Sequence, residues 1–98
     1  MNPSDIYVIS AVRSAIGSFG GSLKDVPPTQ LATDICRAAI ERSGIAPEQI
    51  GHVVMGNVIP TEPRDAYLGR VAAMNAGVPK ETPAFNVNRL CGSGLQAI

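Results

Sequence analysis

The stretch AFNVNRLCGSGLQAI, residues 84–98, places a cysteine between two segments that both indicate regular structure. Residues 84–87 predict a strand, and residues 95–98 predict the first turn of a helix. Cys91 therefore lies between a predicted strand and a predicted helix, in a tight turn that contains glycines. A thiol in that place is positioned to act as a nucleophile.

The chemistry expected of Cys91 follows from the backbone around it. N–H groups at the start of a helix have no partner within the helix and carry partial positive charge, so they favour a thiolate over a thiol. The same groups can donate hydrogen bonds to the oxygen of a thioester carbonyl under attack. Gly92 and Gly94 would leave room for an acyl chain and permit the dihedrals of a tight turn. Ser93 is not a hydrolase nucleophile, because that motif needs glycine two residues to either side.

Upstream of this stretch, strand and helix patterns alternate. Residues 6–12 form an apolar, β-branched run that predicts a first strand buried on both faces. A glycine-punctuated loop then leads to a helix capped by Thr29 and stopped by Gly44. The apolar stripe of this helix consists of Leu31, Ala32, Ile35, Cys36, Ala39 and Ile40.

The middle of the chain repeats the alternation. Residues 53–59 predict a second buried strand, interrupted at Gly56, and residues 66–75 predict a second helix closed by Gly77. This order predicts an α/β layer with a mixed, largely parallel sheet. The helix after Cys91 is unfinished at Ile98, so we expect the chain to be truncated within that helix.

Composition excludes several classes of partner. Hydrophobic residues make up 45% of the 98 residues and charged residues 16%, against a usual charged share of about 25%. Eight basic and eight acidic residues give zero net charge, which predicts no nucleic-acid or membrane partner. No apolar run approaches the ~18 residues of a spanning helix, and two cysteines are too few for a disulfide framework. We expect a soluble, cytoplasmic protein with reduced thiols.

The segment NRLCGSGLQAI at residues 88–98 resembles the acyl-cysteine signature of the thiolase family. The resemblance extends upstream to VRSAIGSFGG at 12–21, GNV at 56–58 and GRVAA at 69–73, and so covers essentially the whole chain. It implies a thiolase-like fold, layered α/β, of which residues 1–98 are an incomplete amino-terminal domain, the start of the first of two similar halves.

The family resemblance also implies an activity. It implies an acyl-CoA C-acyltransferase of lipid metabolism, an acetyl-CoA acetyltransferase or β-ketothiolase that forms or cleaves 3-ketoacyl-CoA. Cys91 would carry the acyl group in a ping-pong cycle, its backbone N–H would be an oxyanion donor, and Gly92, Ser93 and Gly94 would contact substrate. Residues 62–70 resemble bacterial β-ketothiolases acting on short or medium substrates.

The same resemblance implies what else the enzyme uses. Acyl-CoA and CoA are the partners as substrates, with no cofactor and no metal, in a homodimer or homotetramer. The family's activating histidine, second cysteine and asparagine-rich motif lie further along than Ile98, so residues 1–98 alone are expected to be inactive. Two alternatives stay open: a decarboxylating ketosynthase of related fold, and a non-catalytic relative that holds acyl-CoA or acts as a scaffold.

Several other polar residues are expected to be structural. Cys36 lies on the apolar stripe of the first helix, where burial keeps a thiol protonated. His52 is the only histidine, has no zinc-ligand spacing around it, and is placed at a strand entrance. Arg64, Asp65 and Arg70 are expected to form a solvated or interface charge cluster.

Overall fold

The structure of the protein is a computed structural model, which describes residues 2–98. Helices and strands alternate along those residues, which confirms the predicted α/β class. In chain order they are α1 (Pro28–Ser43), β1 (Val53–Gly56), α2 (Leu68–Asn75), β2 (Ala84–Val87) and α3 (Ser93–Ala97). Short 3₁₀ helices at Pro47–Gln49 and Pro63–Tyr67 precede β1 and α2.

The sheet formed by residues 2–98 has two parallel strands. β1 and β2 pair in register from Val53 opposite Ala84 to Gly56 opposite Val87. Parallel strands need a crossover connection, and here it runs through the second 3₁₀ helix and α2. The carboxyl ends of both strands therefore meet at one edge of the sheet, and the chain enters the Cys91 segment from that edge.

Helix α2 packs directly on this sheet. A Cβ added at Gly69 would lie 3.0 Å from the carbonyl oxygen of Phe85 and 3.3 Å from Cβ of Met55, so a side chain here would push the helix and the sheet slightly apart. Asn86, on β2, accepts a 2.7 Å hydrogen bond from the Gly69 N–H and so satisfies a donor in the first turn of α2. The buried apolar core of this layer consists of Leu68, Ala72, Ala73 and Val78.

Helix α1 begins two residues earlier than the sequence pattern predicts. Pro27 is its N-cap and Pro28 its first helical residue, because proline has no N–H to leave unpaired and its φ already suits a helix. Thr29 is therefore inside the helix and does not cap it, so the predicted cap is wrong. The predicted end is confirmed, since Gly44 takes the left-handed conformation with φ 74°.

The fully buried residues of α1 are polar. Thr29 and Thr33 are fully buried, and the Thr33 hydroxyl donates a 2.7 Å hydrogen bond to the Thr29 carbonyl. Another side of the helix, through Ile35 and Ala39, lines an apolar cavity of about 600 Å³. The predicted apolar stripe is thus only half-buried within residues 2–98.

The predicted first strand is absent from residues 2–98. Residues 6–12 run without strand hydrogen bonds, and Ile6 and Val8 are 97% and 80% exposed. Their β-branched composition favours an extended backbone, but a strand also needs a neighbour for its N–H and C=O groups. β1 is likewise shorter than predicted: it ends at Gly56, and Ile59 is exposed in the bend beyond.

The prediction of a solvated charge cluster is wrong for Asp65, which is buried, and both arginines of the set donate hydrogen bonds to other groups. Arg64 donates to the Thr29 hydroxyl at 3.3 Å, and Arg70 donates to two backbone carbonyls near the start of β2. Asp65 is 1% exposed, and one of its carboxylate oxygens accepts from the N–H and hydroxyl of Thr61 at 2.8 and 2.7 Å. These bonds, with the Thr61 hydroxyl first, lower the pKa of Asp65, as does the positive charge of Arg64 to a smaller extent.

This carboxylate predicts an acid-sensitive contribution to stability. Because the folded pKa of Asp65 is lowered, its contribution is complete above the ordinary aspartate pKa of about 3.9 and is lost as the pH falls through the lower folded value. Asp65→Asn should therefore lower the urea midpoint of a full-length protein carrying this segment at pH 7. The gap between wild type and variant should shrink toward pH 3. Exposed Asp34→Asn is the matched control, and a gap for Asp65→Asn that stays constant across this range would contradict the assignment.

Candidate active site

Cys91 lies in a tight turn that follows β2 and precedes α3. The Gly92 N–H donates a 3.0 Å hydrogen bond to the Arg89 carbonyl, so Leu90 and Cys91 occupy the two central positions of the turn. Cys91 is exposed, and its thiol is reduced. The structure therefore places the predicted nucleophile at the surface, at the carboxyl edge of the parallel sheet, where α/β folds bind ligands.

The turn reaches its shape through a residue that the sequence did not single out. Leu90 has φ 48°, the one positive value at a non-glycine residue within residues 2–98. Gly92 has an ordinary φ of −92°, and Gly94 is not among the positive-φ glycines. The dihedrals of the tight turn, expected to depend on these glycines, depend on Leu90 instead, because Leu90 has the left-handed φ. A Cβ at Gly94 would meet nothing within 4 Å, so the space beside it is open.

Ser93 closes the turn from within. Its side chain is 4% exposed; its hydroxyl donates to the Leu90 carbonyl at 2.7 Å and accepts from the Arg89 N–H at 2.7 Å. The Ser93 N–H also donates to the Leu90 carbonyl, at 3.1 Å. The hydroxyl is therefore committed to the turn in this structure, and a contact between Ser93 and substrate stays a prediction.

One backbone donor of the turn remains available. The N–H groups of Gly92 and Ser93 are both donated to carbonyls of the turn, whereas the Cys91 N–H meets no acceptor anywhere in residues 2–98. A backbone N–H without a partner is able to donate a hydrogen bond to a carbonyl oxygen that gains negative charge under attack. Of the backbone donors expected around Cys91, its own N–H and those of Gly94 and Leu95, in the first turn of α3, meet no acceptor within residues 2–98.

Two further residues, missed in the sequence, hold the turn against β1. Gly56 ends that strand, and a Cβ there would lie 2.9 Å from the carbonyl carbon of Ser93, so the backbones touch. Asn88 donates to the Val58 carbonyl at 3.2 Å and accepts from the Leu90 N–H at 3.0 Å. A glycine inside a strand pattern is a signal of close backbone approach, whereas nothing in the sequence marks the pairing of Asn88 with the loop after β1.

The structure does not bring His52 or Cys36 to this turn. His52 precedes β1, with its ring centroid 5.1 Å from that of Phe85, and because the strands are parallel it lies at the opposite end of the sheet from Cys91. Cys36 is half-buried on α1, and burial raises the pKa of its thiol.

Within residues 2–98 no three histidine, cysteine or acidic side chains converge as metal ligands, and no helix is long and apolar enough to cross a bilayer.

Comparison with known proteins decides the family. Residues 6–98 match the model of the thiolase N-terminal domain. The chain belongs to the thiolase family. This confirms the resemblance drawn from the Cys91 segment.

Curated thiolase relatives match over nearly the whole chain. The β-ketothiolase BktB of Cupriavidus necator is 61% identical over 94 residues, which are 96% of this chain and 24% of that protein. The acetyl-CoA acetyltransferase of the same organism is 43% identical over 95 residues, 97% of this chain and 24% of that protein. The chain thus spans about a quarter of the length of the curated relatives it matches.

Solved thiolase structures confirm the fold. Human mitochondrial 3-ketoacyl-CoA thiolase in complex with CoA superposes with a TM-score of 0.88 at 42% identity, over 92% of this chain and 23% of that one. The acetyl-CoA acetyltransferase of Bacillus anthracis gives 0.84 at 38% identity, over 91% and 22%. The predicted thiolase-like α/β fold is therefore correct.

Proposed function

We propose that this chain is the amino-terminal part of an acyl-CoA C-acyltransferase that forms or cleaves 3-ketoacyl-CoA, with Cys91 as the covalent nucleophile. The observation that carries the proposal is an exposed thiol beside its own unpaired N–H, at the carboxyl edge of the sheet. The names of the relatives, β-ketothiolase and acetyl-CoA acetyltransferase, favour this reaction over that of a decarboxylating ketosynthase.

In the first half-reaction the Cys91 thiol takes the acyl group from acyl-CoA. The Cys91 thiolate attacks the thioester carbonyl of acetyl-CoA, the bond between that carbon and the CoA sulfur breaks, and CoA leaves as a thiolate that takes up a proton. One thioester replaces another of similar energy, so the acyl-enzyme is neither a trap nor a high barrier. In the cleavage direction Cys91 attacks the 3-keto carbon, and the bond between C2 and C3 breaks with a proton added at C2.

The negative charge that develops on the carbonyl oxygen during attack needs a hydrogen-bond donor, and the Cys91 N–H is such a donor. The carbonyl oxygen becomes an oxyanion in the tetrahedral intermediate, and a preorganised N–H aimed at that position lowers the barrier because it needs no reorganisation. Gly94, with open space where a side chain would project, is suited to let the acyl or pantetheine chain pass. Roles for Gly92 and Ser93 in substrate contact remain part of this proposal.

The base for the thiol is proposed to come from outside residues 1–98. His52, the single histidine, lies at the far end of the sheet. Residues 1–98, which we propose are an incomplete thiolase domain, should therefore not turn over by themselves. A homodimer or homotetramer, a role in lipid metabolism, the absence of any cofactor and a cytoplasmic location stay predictions of the same proposal.

Selective alkylation tests the assignment. In a full-length protein carrying this segment, limiting iodoacetamide should modify Cys91 at least about tenfold faster than Cys36, because Cys91 is exposed whereas burial raises the pKa of Cys36. Mass analysis of the two cysteine peptides measures both rates. Acetyl-CoA should protect Cys91 and leave Cys36 unchanged. Equal labelling of the two thiols, or equal protection of both, would overturn the proposal.

A further inference from the structure

The residue before the nucleophile is held in a conformation that it does not favour. Leu90 has φ 48°, in the left-handed region that non-glycine residues avoid. Its side chain is 69% exposed, so packing of its own side chain does not hold it there. Such a backbone persists only where the surrounding structure imposes it.

Two neighbouring side chains impose it. The Leu90 N–H donates to the Asn88 side-chain oxygen at 3.0 Å, and the Leu90 carbonyl accepts from the Ser93 hydroxyl at 2.7 Å. Both polar groups of Leu90 are thus bonded to side chains, an arrangement that we call the Leu90 clamp. The clamp is anchored at two points, because the Ser93 backbone contacts Gly56 at the end of β1 and Asn88 donates to the Val58 carbonyl in the loop after it.

The clamp fixes the direction of the Cys91 N–H. That N–H shares a planar peptide with the Leu90 carbonyl, and in a trans peptide the two groups point in opposite directions. Because the Ser93 hydroxyl draws the Leu90 carbonyl into the turn, the Cys91 N–H must point out of it. This matches its lack of any acceptor in residues 2–98.

We infer that Ser93, with Asn88, is a positioning residue that aims the Cys91 N–H at the substrate carbonyl oxygen, an inference that rests on the proposed acyl transfer at Cys91. Ser93 acts through its hydrogen bond to the Leu90 carbonyl, and the Ser93 residue itself is only 4% exposed. Its role is therefore distinct from the substrate contact expected from the sequence. Because Ser93 orients an oxyanion donor, its loss should lower the rate at which Cys91 attacks a thioester. It should leave unchanged the rates of thiol reactions that generate no oxyanion.

Paired rate measurements on a full-length protein test the clamp. Ser93→Ala should lower the rate of Cys91 acylation by acetyl-CoA about 10- to 100-fold, chiefly in kcat with KM little changed. Alkylation by iodoacetamide, which displaces iodide and forms no oxyanion, should change less than about threefold. Ser93→Thr, which keeps the hydroxyl, should recover part of the acylation rate. Ser43→Ala is the matched control, because it removes a hydroxyl that donates to the Ile40 carbonyl at the end of α1.

Asn88→Ala provides a second variant at an exposed position, should Ser93→Ala fold poorly. It removes the bond to the Leu90 N–H and should also slow acylation more than alkylation. Acylation within twofold of wild type in both variants would overturn the inference, and so would equal losses of acylation and alkylation. A wild-type protein that takes no acetyl group at Cys91 would instead refute the proposed function itself.

Discussion

Cys91→Ser in a full-length protein carrying this segment is expected to abolish acyl transfer. The burst of CoA release on mixing with acetyl-CoA should disappear, and turnover should fall at least about 10³-fold. A serine hydroxyl has nearly the shape of the thiol but stays protonated near neutral pH and is a far weaker nucleophile. Because the two side chains have nearly the same shape, the urea midpoint should move little, which separates loss of chemistry from loss of fold.

Cys36→Ser is the control for this substitution. It makes the same chemical change at a half-buried thiol on α1, so the burst of CoA release should persist while the urea midpoint falls. A Cys91→Ser protein that keeps more than a tenth of wild-type turnover would rule out Cys91 as the acyl carrier.

Gly56→Ala should damage both stability and activity. The added Cβ would lie 2.9 Å from the Ser93 carbonyl carbon and 3.0 Å from the Gly94 nitrogen. These are backbone atoms, so no side-chain rotation relieves the overlap, and either the end of β1 or the Cys91 turn must move. Overpacking of this kind costs about 1–3 kcal/mol. A shift of the turn by about 1 Å would lower turnover on the order of 10²-fold.

The matched control is Gly51→Ala, on the approach to the same strand. A Cβ at Gly51 meets nothing within 4 Å, and its φ is not positive, so urea midpoint and turnover should stay near wild type. If Gly56→Ala matched this control in both measurements, the contact between β1 and the turn would not position Cys91.

How much of the fold the sequence predicts depends on which interactions each element needs. α1 and α2 carry their own spacing of apolar residues and stop signals, so their existence was predictable, as was the end of α1 at Gly44. Residues 6–12 have the composition of a strand, but pairing is a property of two segments, and composition cannot identify the second. Asp65 looked like a surface charge because nothing local shows that the Thr61 hydroxyl and N–H converge on its carboxylate.

The candidate site divides in the same way. The position of Cys91 between a strand and a helix was predictable because the patterns of β2 and α3 flank it, and its role as nucleophile stays a prediction from the family signature. Leu90 was not, since leucine has no tendency toward positive φ and its conformation results from bonds to Asn88 and Ser93. The contact of Gly56 with the turn depends on how β1 and α3 pack, which single-residue patterns do not encode.

The Leu90 clamp and the contact at Gly56 also determine at which stage the Cys91 turn becomes ordered. A loose loop would have to be immobilised in every catalytic cycle, and the lost conformational entropy would add to each barrier. In this turn the N–H and C=O groups of Leu90 are both hydrogen-bonded, and the backbone contacts β1 at Gly56. Its conformational entropy is therefore lost only once, when the polypeptide folds. Each incoming thioester then meets a nucleophile that is already immobile.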